Sequence, residues 1–502
     1  MRYDAIIVGS GFGAAATAVS LVEAGLSTLM LERGLPARRD ALDWDQRQIL
    51  VDKRYRSHSP MRVRQSRKRR YETEYPNEVL GGMSVFYGGA SLRLREGDFS
   101  RWPIDYADME PYYCEAEAAL HVHGRQGMDP CEPPRSQPYP HQPPELSVPA
   151  QRIRDAGEGL GLRPFPIPLA INFTDSTRPL CIRCNTCDGF PCKIEAKNDV
   201  TATLLRRAQA RGLEIITGAI VVRLDTGADA VTTAVCVDAE SGQERRFEAS
   251  VFGLAAGALS SPGILQRSGI RSTAQRDPVG HYLMRHCNAV VTGIFPFRTN
   301  PEQVFHKQLC FTDYYNDGDE AVSADDAGPA TGIIQDIYTP SAPIIRHFAP
   351  FGARSLAGRL ASNMQNLLCV AEDEPRYENR VGLGGDLDPF GIPVATVDHV
   401  YTVGDIRRRQ RLVKHARRIL KSAGAWFTRV YEIETFSHAI GTIRFGESKA
   451  DSALDETCRF RGLENLFVTD GSFMPTSSGV NPSLTIAANA FRVADHIVDG
   501  QR

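Results

Sequence analysis

The chain enters an uninterrupted apolar run, Ala5-Ile6-Ile7-Val8, almost at once. Such a run without alternation predicts a strand buried on both faces, as in a parallel sheet. Gly9-Ser10-Gly11-Phe12-Gly13-Ala14 follows, and the largely apolar stretch to about residue 24 predicts a helix. Residues 26–31 predict a second buried strand, closed by Glu32. Farther along, the pattern predicts a helix over 199–211, strands over 213–224, and a buried strand over 251–256, with Gly257 turning the chain into another helix. Residues 287–297 and 392–400 alternate apolar and polar positions in places, as half-buried strands do. Residues 405–423 read as a basic amphipathic helix and 466–469 as a short strand. A last helix runs from near Pro482 to about residue 498, with Asn481 suited to its cap and Pro482 to its first turn.

The N-terminal order of strand, glycine turn, helix, strand and terminal acid is a dinucleotide-binding pattern. Gly9 permits the tight turn, and Gly11 lets the backbone approach a pyrophosphate. Phe12 and Gly13 carry the turn into the helix, and Ala14 holds the close-packing position. The helix N-terminus offers free N–H groups and partial positive charge to phosphate. Glu32, with Arg33 beside it, would accept hydrogen bonds from both adenosine ribose hydroxyls, which disfavours a 2′-phosphate. The pattern alone fits FAD and NAD equally.

Composition narrows the field further. Hydrophobic residues make up 42% and charged residues 24% of 502, an ordinary globular balance that excludes a disordered chain. Lys plus Arg number 58 against 60 Asp plus Glu, a net charge of −2, so no affinity for nucleic acid or an anionic membrane is expected. No apolar run approaches the ~18 residues of a transmembrane helix. No basic leader or cleavage site precedes the first strand, which predicts a cytoplasmic protein, and the 11 cysteines, an odd number, predict mostly reduced thiols. Residues 53–70 hold nine Lys/Arg and are expected to form a solvated, mobile excursion. Residues 129–149 are rich in proline and predict a connector.

Four blocks, in order, carry a resemblance. They are the nucleotide pattern at 4–32; Leu80-Gly81-Gly82-Met83-Ser84-Val85-Phe86-Tyr87-Gly88-Gly89 with Trp102-Pro103-Ile104; Gly257-Ala258-Leu259-Ser260-Ser261-Pro262-Gly263 continuing to Ile270; and His438-Ala439-Ile440-Gly441-Thr442 with Asp470-Gly471-Ser472 and Asn481-Pro482. Together they make the chain resemble the glucose–methanol–choline (GMC) oxidoreductases, a family of FAD enzymes. It departs from the family at Arg271, where the third block usually ends in Gly, and at Tyr87, where several members carry Asn or His beside the flavin.

The resemblance implies an α/β fold: a Rossmann-like FAD-binding domain joined to an α+β substrate domain on an antiparallel sheet. The implied division is FAD-binding parts at 1–125, 196–285 and 436–502, a Pro- and Cys-rich substrate-side segment at 126–195, and a substrate domain at 286–435. It implies that Gly9, Gly11, Phe12, Gly13, Glu32 and Arg33 hold the ADP half, with Val221, Ala256 and Gly257 nearby. Gly82, Ser84, Tyr87, Gly88 and Gly89 would lie along the pyrophosphate and ring; Asp470, Gly471, Asn481, Pro482 and Thr485 would face the ribityl chain and ring edge. His438 matches the family's catalytic histidine and Asn481 its second catalytic position; His286 also matches a family position and is expected to be structural. An imidazole, titrating near neutrality, suits removal of a hydroxyl proton while hydride leaves to flavin N5.

The segment Cys181-Ile182-Arg183-Cys184-Asn185-Thr186-Cys187-Asp188-Gly189-Phe190-Pro191-Cys192 leaves several readings open: reduced thiols, local disulfides, zinc, or an iron–sulfur cluster. The acidic stretch 313–320, with Asp325 and Asp326, reads as a solvated loop or as a field attracting a cationic polyol. Bacterial family members acting on aminoglycoside intermediates are similar in size and in the cysteine-bearing segment. They point to a primary hydroxyl of a sugar or aminosugar as the small-molecule substrate. Oxygen and a carrier both stay open as electron acceptor, as do an electron-transferring dehydrogenase and a flavin-dependent isomerase as alternatives.

Overall fold

The N-terminal apolar run forms the strand Arg2–Val8, which lies inside a seven-stranded sheet. Thr28–Glu32 pairs in parallel on one side of it and Glu244–Leu254 on the other. Glu214–Thr217 extends the parallel set beyond Thr28–Glu32, and Leu466–Val468 pairs in parallel with Glu244–Leu254. Antiparallel Val231–Asp238 and Ala219–Thr226 complete the sheet. The helices Phe12–Glu23 and Ser483–Gln501 pack together. Ala14, Ala15, Ala16 and Ala18 are fully buried on the first and Ala487, Ala488 and Ala490 on the second, small side chains that suit a close approach. This computed structural model describes residues 2–65, 68, 70–304, 306–316 and 329–501.

A second, antiparallel sheet runs in the order Phe427–Glu432, Ala289–Ile294, Met364–Val370, Ile333–Ile337, Leu309–Phe311, Phe165–Pro166. The helix Val403–Ser422 packs on it, with Leu412, Ala416, Ile419 and Leu420 meeting Val291, Leu367 and Cys369 in one core. The helix starts at a capping box in which Thr402 and Asp405 satisfy each other's backbone N–H groups. No helix among the described residues is long and apolar enough to cross a membrane.

The basic stretch differs from expectation. Its middle forms the strand Met61–Gln65, parallel to Pro393–His399 in a four-stranded sheet with Arg380–Leu387 and Glu72–Glu74. Met61, Val63 and Gln65 are buried while the arginines between them point outward to acids: Arg62 to Asp386 at 2.9 Å, Arg64 to Asp398 at 2.8 Å. Arginine at every second position puts the charge on one face of the strand and leaves the other face to the core. The expected helix over 199–211 shortens to Leu204–Gln209, because Asp199 first closes a side-chain turn onto the N–H groups of Thr201 and Ala202.

In the Pro-rich stretch, Arg135 is tied down by buried charge: Glu117, on the helix Tyr106–Ala119, pairs with Arg93 at 2.7 Å and with Arg135 at 3.0 Å. Of the acidic stretch, residues 317–328 lie outside the described residues. In its described part Tyr315 is buried, donating to Asp98 at 2.7 Å and accepting from the Gly479 N–H at 3.0 Å.

Candidate active site

Two backbone seams bring the C-terminal residues together. Met284 and Ile440 exchange N–H···O bonds of 3.0 Å in both directions, and Gly441 donates to Gly471 at 3.0 Å. His438 therefore sits where the end of the nucleotide-type sheet meets the antiparallel sheet. The loop that starts at Asp470 is anchored by that side chain, which accepts from the N–H groups of Gly257 (2.8 Å) and Ser472 (2.7 Å) and from the Ser261 hydroxyl (2.5 Å). The loop delivers Asn481 opposite His438.

Nδ2 of Asn481 lies 3.5 Å from Nε2 of His438. Oδ1 of Asn481 accepts from Nε2 of Gln335 at 2.6 Å, so the side chain reaches sideways to the antiparallel sheet rather than serving as the expected helix cap. On the far side of His438, its Nδ1 meets Nδ1 of His286 at 2.9 Å, so His286 touches the site directly as well as bracing the fold. Burial, the neighbouring His286 and the Lys307 cation together hold the His438 imidazole well below the ordinary histidine pKa. A pKa lowered in this way favours the neutral imidazole near pH 7.

Asp373 underlies this pair. Its carboxylate accepts from the N–H groups of Arg285 (2.9 Å) and His286 (3.0 Å), and His399 lies 3.4 Å away. Burial alone would raise Asp373, but the contacts with His399, His286 and the backbone N–H of Arg285 leave it below its ordinary value, hence charged. The Tyr401 hydroxyl donates to the His286 carbonyl at 2.7 Å.

The glycine turn builds an open concavity. A Cβ at Gly11 or at Gly257 would meet no protein atom within 4 Å, whereas one at Gly13 would come 1.7 Å from the Thr469 carbonyl oxygen. Gly82 lies over Gly11, with its own Cβ position 3.6 Å from Gly11 Cα. Ser10 ties these parts together: it accepts from the Gly81 N–H at 2.8 Å and donates to Glu32. Glu32 also accepts from the Gly34 N–H at 2.6 Å, and burial pushes its carboxyl up to about 7. Arg33 turns away to Glu78 at 2.5 Å. The carbonyl of Val221 takes Arg267 at 3.4 Å, and the Ala256 N–H donates to Ser261 at 3.1 Å.

The second block is stitched inward. The Ser84 hydroxyl donates to the Gly81 carbonyl at 2.7 Å, and Tyr87 packs edge-on against Phe12 while its hydroxyl donates to Asn198 at 2.7 Å. Gly88 faces the Asp188 carboxylate and Gly89 faces Ile171. Pro482 accepts from the Ile486 N–H at 2.9 Å in the first helical turn, and Thr485 meets the Tyr113 hydroxyl at 2.8 Å. Gly471 packs beneath Ile440 and Ile486.

Cys181, Cys184, Cys187 and Cys192 line one small cavity with Lys197 and His306. All are free thiols, and burial pushes Cys181 up to about 11. Among the described residues, no group of three or more His, Cys, Asp or Glu side chains is disposed to hold a metal ion.

Four residues of the site escaped sequence reading. Gln335 shares a strand face with Ile333 and Ile337, and a polar residue at such a position is the signal that could have found it. Ser10 was hidden among the glycines that drew attention. Ser261 lies inside the third block without being singled out there, and Asp373 carries no spacing signal at all.

The fold joins a nucleotide-type sheet to an antiparallel one with a smaller third sheet beside them, and comparison with known proteins gives the class and the family. The N-terminal profile described as GMC oxidoreductase matches residues 3–288 and the C-terminal one residues 375–490; the chain belongs to the GMC oxidoreductase family. It is 32% identical to the 6′′′-hydroxyparomomycin C oxidase of Streptomyces lividus, covering 99% of this chain and 92% of that one. It is 29% identical to the paromamine 6′-oxidase of Streptomyces fradiae, covering 98% and 90%. Among solved structures, pyridoxine 4-oxidase from Mesorbium loti matches with a TM-score of 0.72 at 19% identity over 98% of each chain, a likeness of fold.

Proposed function

We propose that this protein binds FAD and oxidises a primary hydroxyl of an aminosugar, of the kind found in aminoglycoside intermediates, to the aldehyde. The observation that carries the reading is the pairing of a neutral imidazole with a carboxamide, His438 Nε2 to Asn481 Nδ2 at 3.5 Å, where the nucleotide-type fold meets the antiparallel sheet. The fit to FAD rests on the open concavity at Gly11 and Gly257, at the start of a helix with unfilled N–H capacity. Gly9, Gly11, Phe12, Gly13 and Glu32 would hold the ADP half. Gly82 and Gly257 would flank the phosphates, and the start of the helix Ser483–Gln501 would face the ring edge, its partial positive charge favouring the reduced, anionic form.

FAD, when bound, supplies the two-electron acceptor for hydride from the carbinol carbon. His438 takes the hydroxyl proton at Nε2. Asn481, its amide held by Gln335, donates Nδ2–H to the substrate oxygen as negative charge gathers there. Removing proton and hydride leaves the carbonyl product, with atoms and electrons balanced.

The aminosugar assignment draws on the two Streptomyces oxidases, which align along almost the whole chain. The test is incubation of the FAD-loaded protein with paromamine and with 6′′′-hydroxyparomomycin C, followed by mass spectrometry. Loss of two hydrogens and trapping of an aldehyde support the proposal. Flavin that binds yet leaves both compounds and simple sugar alcohols unchanged would overturn it.

A further inference from the structure

The hydrogens on His286 and His438 follow from what His286 touches on its other side. Its Nε2 lies 3.0 Å from the carbonyl of Ser477 and 3.1 Å from that of Ser478. A carbonyl oxygen has no hydrogen to give, so Nε2 of His286 carries the proton and donates it. A neutral imidazole has a single N–H, which leaves Nδ1 of His286 with a lone pair. The 2.9 Å contact with Nδ1 of His438 then requires the hydrogen to sit on His438. With Nδ1 protonated, Nε2 of neutral His438 is the ring's open acceptor.

A second chain of hydrogen bonds reaches the same answer from the opposite side. Gln335 donates to Oδ1 of Asn481, so the donor end of Asn481 is the end that faces Nε2 of His438. A donor there calls for a lone pair on Nε2. The two sequences of donors and acceptors share no residue but His438, and they agree.

We propose that His286 is the positioning residue that selects the Nδ1–H tautomer of His438 and so keeps Nε2 bare for the substrate hydroxyl. The proposal rests on the reading of His438 as the base. Which imidazole nitrogen carries the proton is set by the bond the other one makes, and without an acceptor at Nδ1 the hydrogen is free to occupy Nε2, where it would block proton removal. His286 is built to hold one orientation. Its backbone is in the left-handed region at φ 61, uncommon for a non-glycine residue, as is that of Ser478 at φ 54, which accepts from it. Asp373 grips its N–H and Tyr401 its carbonyl. When Nε2 of His438 takes the substrate proton, the imidazolium keeps donating from Nδ1 to His286, so no rearrangement accompanies the transfer.

The experiment is nitrogen NMR of the FAD-bound protein labelled with 15N-histidine, with rings assigned by the signals missing from His438→Gln and His286→Gln. The expected wild-type result is a pyridine-type shift for Nε2 of His438 and a pyrrole-type shift for its Nδ1, with His286 reversed. In His286→Phe, where only the 3.5 Å contact with Asn481 still favours a bare Nε2, the Nε2 shift of His438 should move toward the pyrrole type and kcat should fall by roughly 10²-fold, with KM changed by less than about threefold. His286→Asn, whose Oδ1 can accept from Nδ1–H, should recover at least about tenfold of that loss. A pyrrole-type Nε2 of His438 in the wild type overturns the proposal, as does an unaltered shift in folded His286→Phe. Should His286→Phe fail to fold, the wild-type spectrum decides alone. Full activity in His438→Gln beside a pyridine-type Nε2 in the wild type would instead sink the reading of His438 as base and leave the tautomer assignment standing.

Discussion

Gln335 donates to Oδ1 of Asn481 at 2.6 Å, and that one bond points the donor end of Asn481 at His438. Gln335 sits on the strand Ile333–Ile337 of the antiparallel sheet, whereas Asn481 precedes the C-terminal helix of the other layer. The pair therefore fixes the orientation of the Asn481 amide across the joint between the seven-stranded and the antiparallel sheet.

Replacing Gln335 with Leu keeps the bulk and removes the donor. The amide of Asn481 is then free to turn, and its oxygen is left unpaired. One such hydrogen bond is worth about 1 kcal/mol, so kcat should drop roughly five- to tenfold with flavin content unchanged. A kcat within twofold of wild type would show that Asn481 needs no such support.

The state of His438 makes a prediction about pH. Neutral imidazole is the active form of a base. Burial, His286 and Lys307 lower its pKa, so it is wholly neutral at pH 7 and gains a proton only below the ordinary histidine range. The acid limb of kcat/KM against pH should thus fall below about 6.5 and the profile should be flat from there through neutrality. An acid limb at or above that value would contradict the account, and so would its survival in His438→Gln.

Two glycines of one turn should behave oppositely. Gly13→Ala drives a Cβ to within 1.7 Å of the Thr469 carbonyl oxygen, a backbone atom that has little room to yield. It should cost about 1–3 kcal/mol and lower the unfolding midpoint whether or not flavin is present. Gly11→Ala meets nothing within 4 Å in the protein itself, so the flavin-free protein should unfold as wild type does while FAD affinity falls. Calorimetric unfolding with and without FAD distinguishes them, and equal loss of flavin-free stability in both would show that the space beside Gly11 is not the cofactor's.

The order of elements in the first forty residues was plain in the sequence because local rules govern it: unbroken apolar runs make the buried strands, and the glycines mark the turn. His438 and Asn481 were legible through the motifs around them. What stayed hidden depends on contacts between distant segments. Asp373 is 87 residues from the His286 N–H that it holds, and Gln335 is 146 from Asn481. The strand Met61–Gln65 was masked by its arginines, whose charges are met by Asp386 and Asp398 more than three hundred positions away. Hidden too were the bonds that hold Glu32, expected to accept from a ribose: the Ser10 hydroxyl of the glycine turn and the Gly34 N–H each bond one of its oxygens, and each oxygen keeps a further acceptor site.

Glu117 is the buried anion shared by Arg93 and Arg135. Glu117→Leu removes the anion the two guanidinium groups share, leaving Arg93 with Glu110 at 3.3 Å and Arg135 with Glu132 at 2.8 Å as their remaining carboxylates; the loss should be about 3 kcal/mol, and it loosens the Pro-rich stretch that Arg135 pins. Denaturant unfolding followed by fluorescence should show the midpoint fall by an amount matching that loss, and proteolysis should begin near Arg135. An unchanged midpoint would mean the stretch is held by packing alone.

The proposed reaction is hydride transfer from an aminosugar alcohol to bound flavin. Its most direct test is an anaerobic titration of the FAD-bound protein with paromamine, followed at the flavin absorbance near ~450 nm, a property of the cofactor. Full bleaching in proportion to aldehyde formed is expected, with loss of that bleaching in His438→Gln and recovery of colour when air or a carrier is admitted. Flavin that stays oxidised with paromamine and with every other alcohol supplied would contradict it.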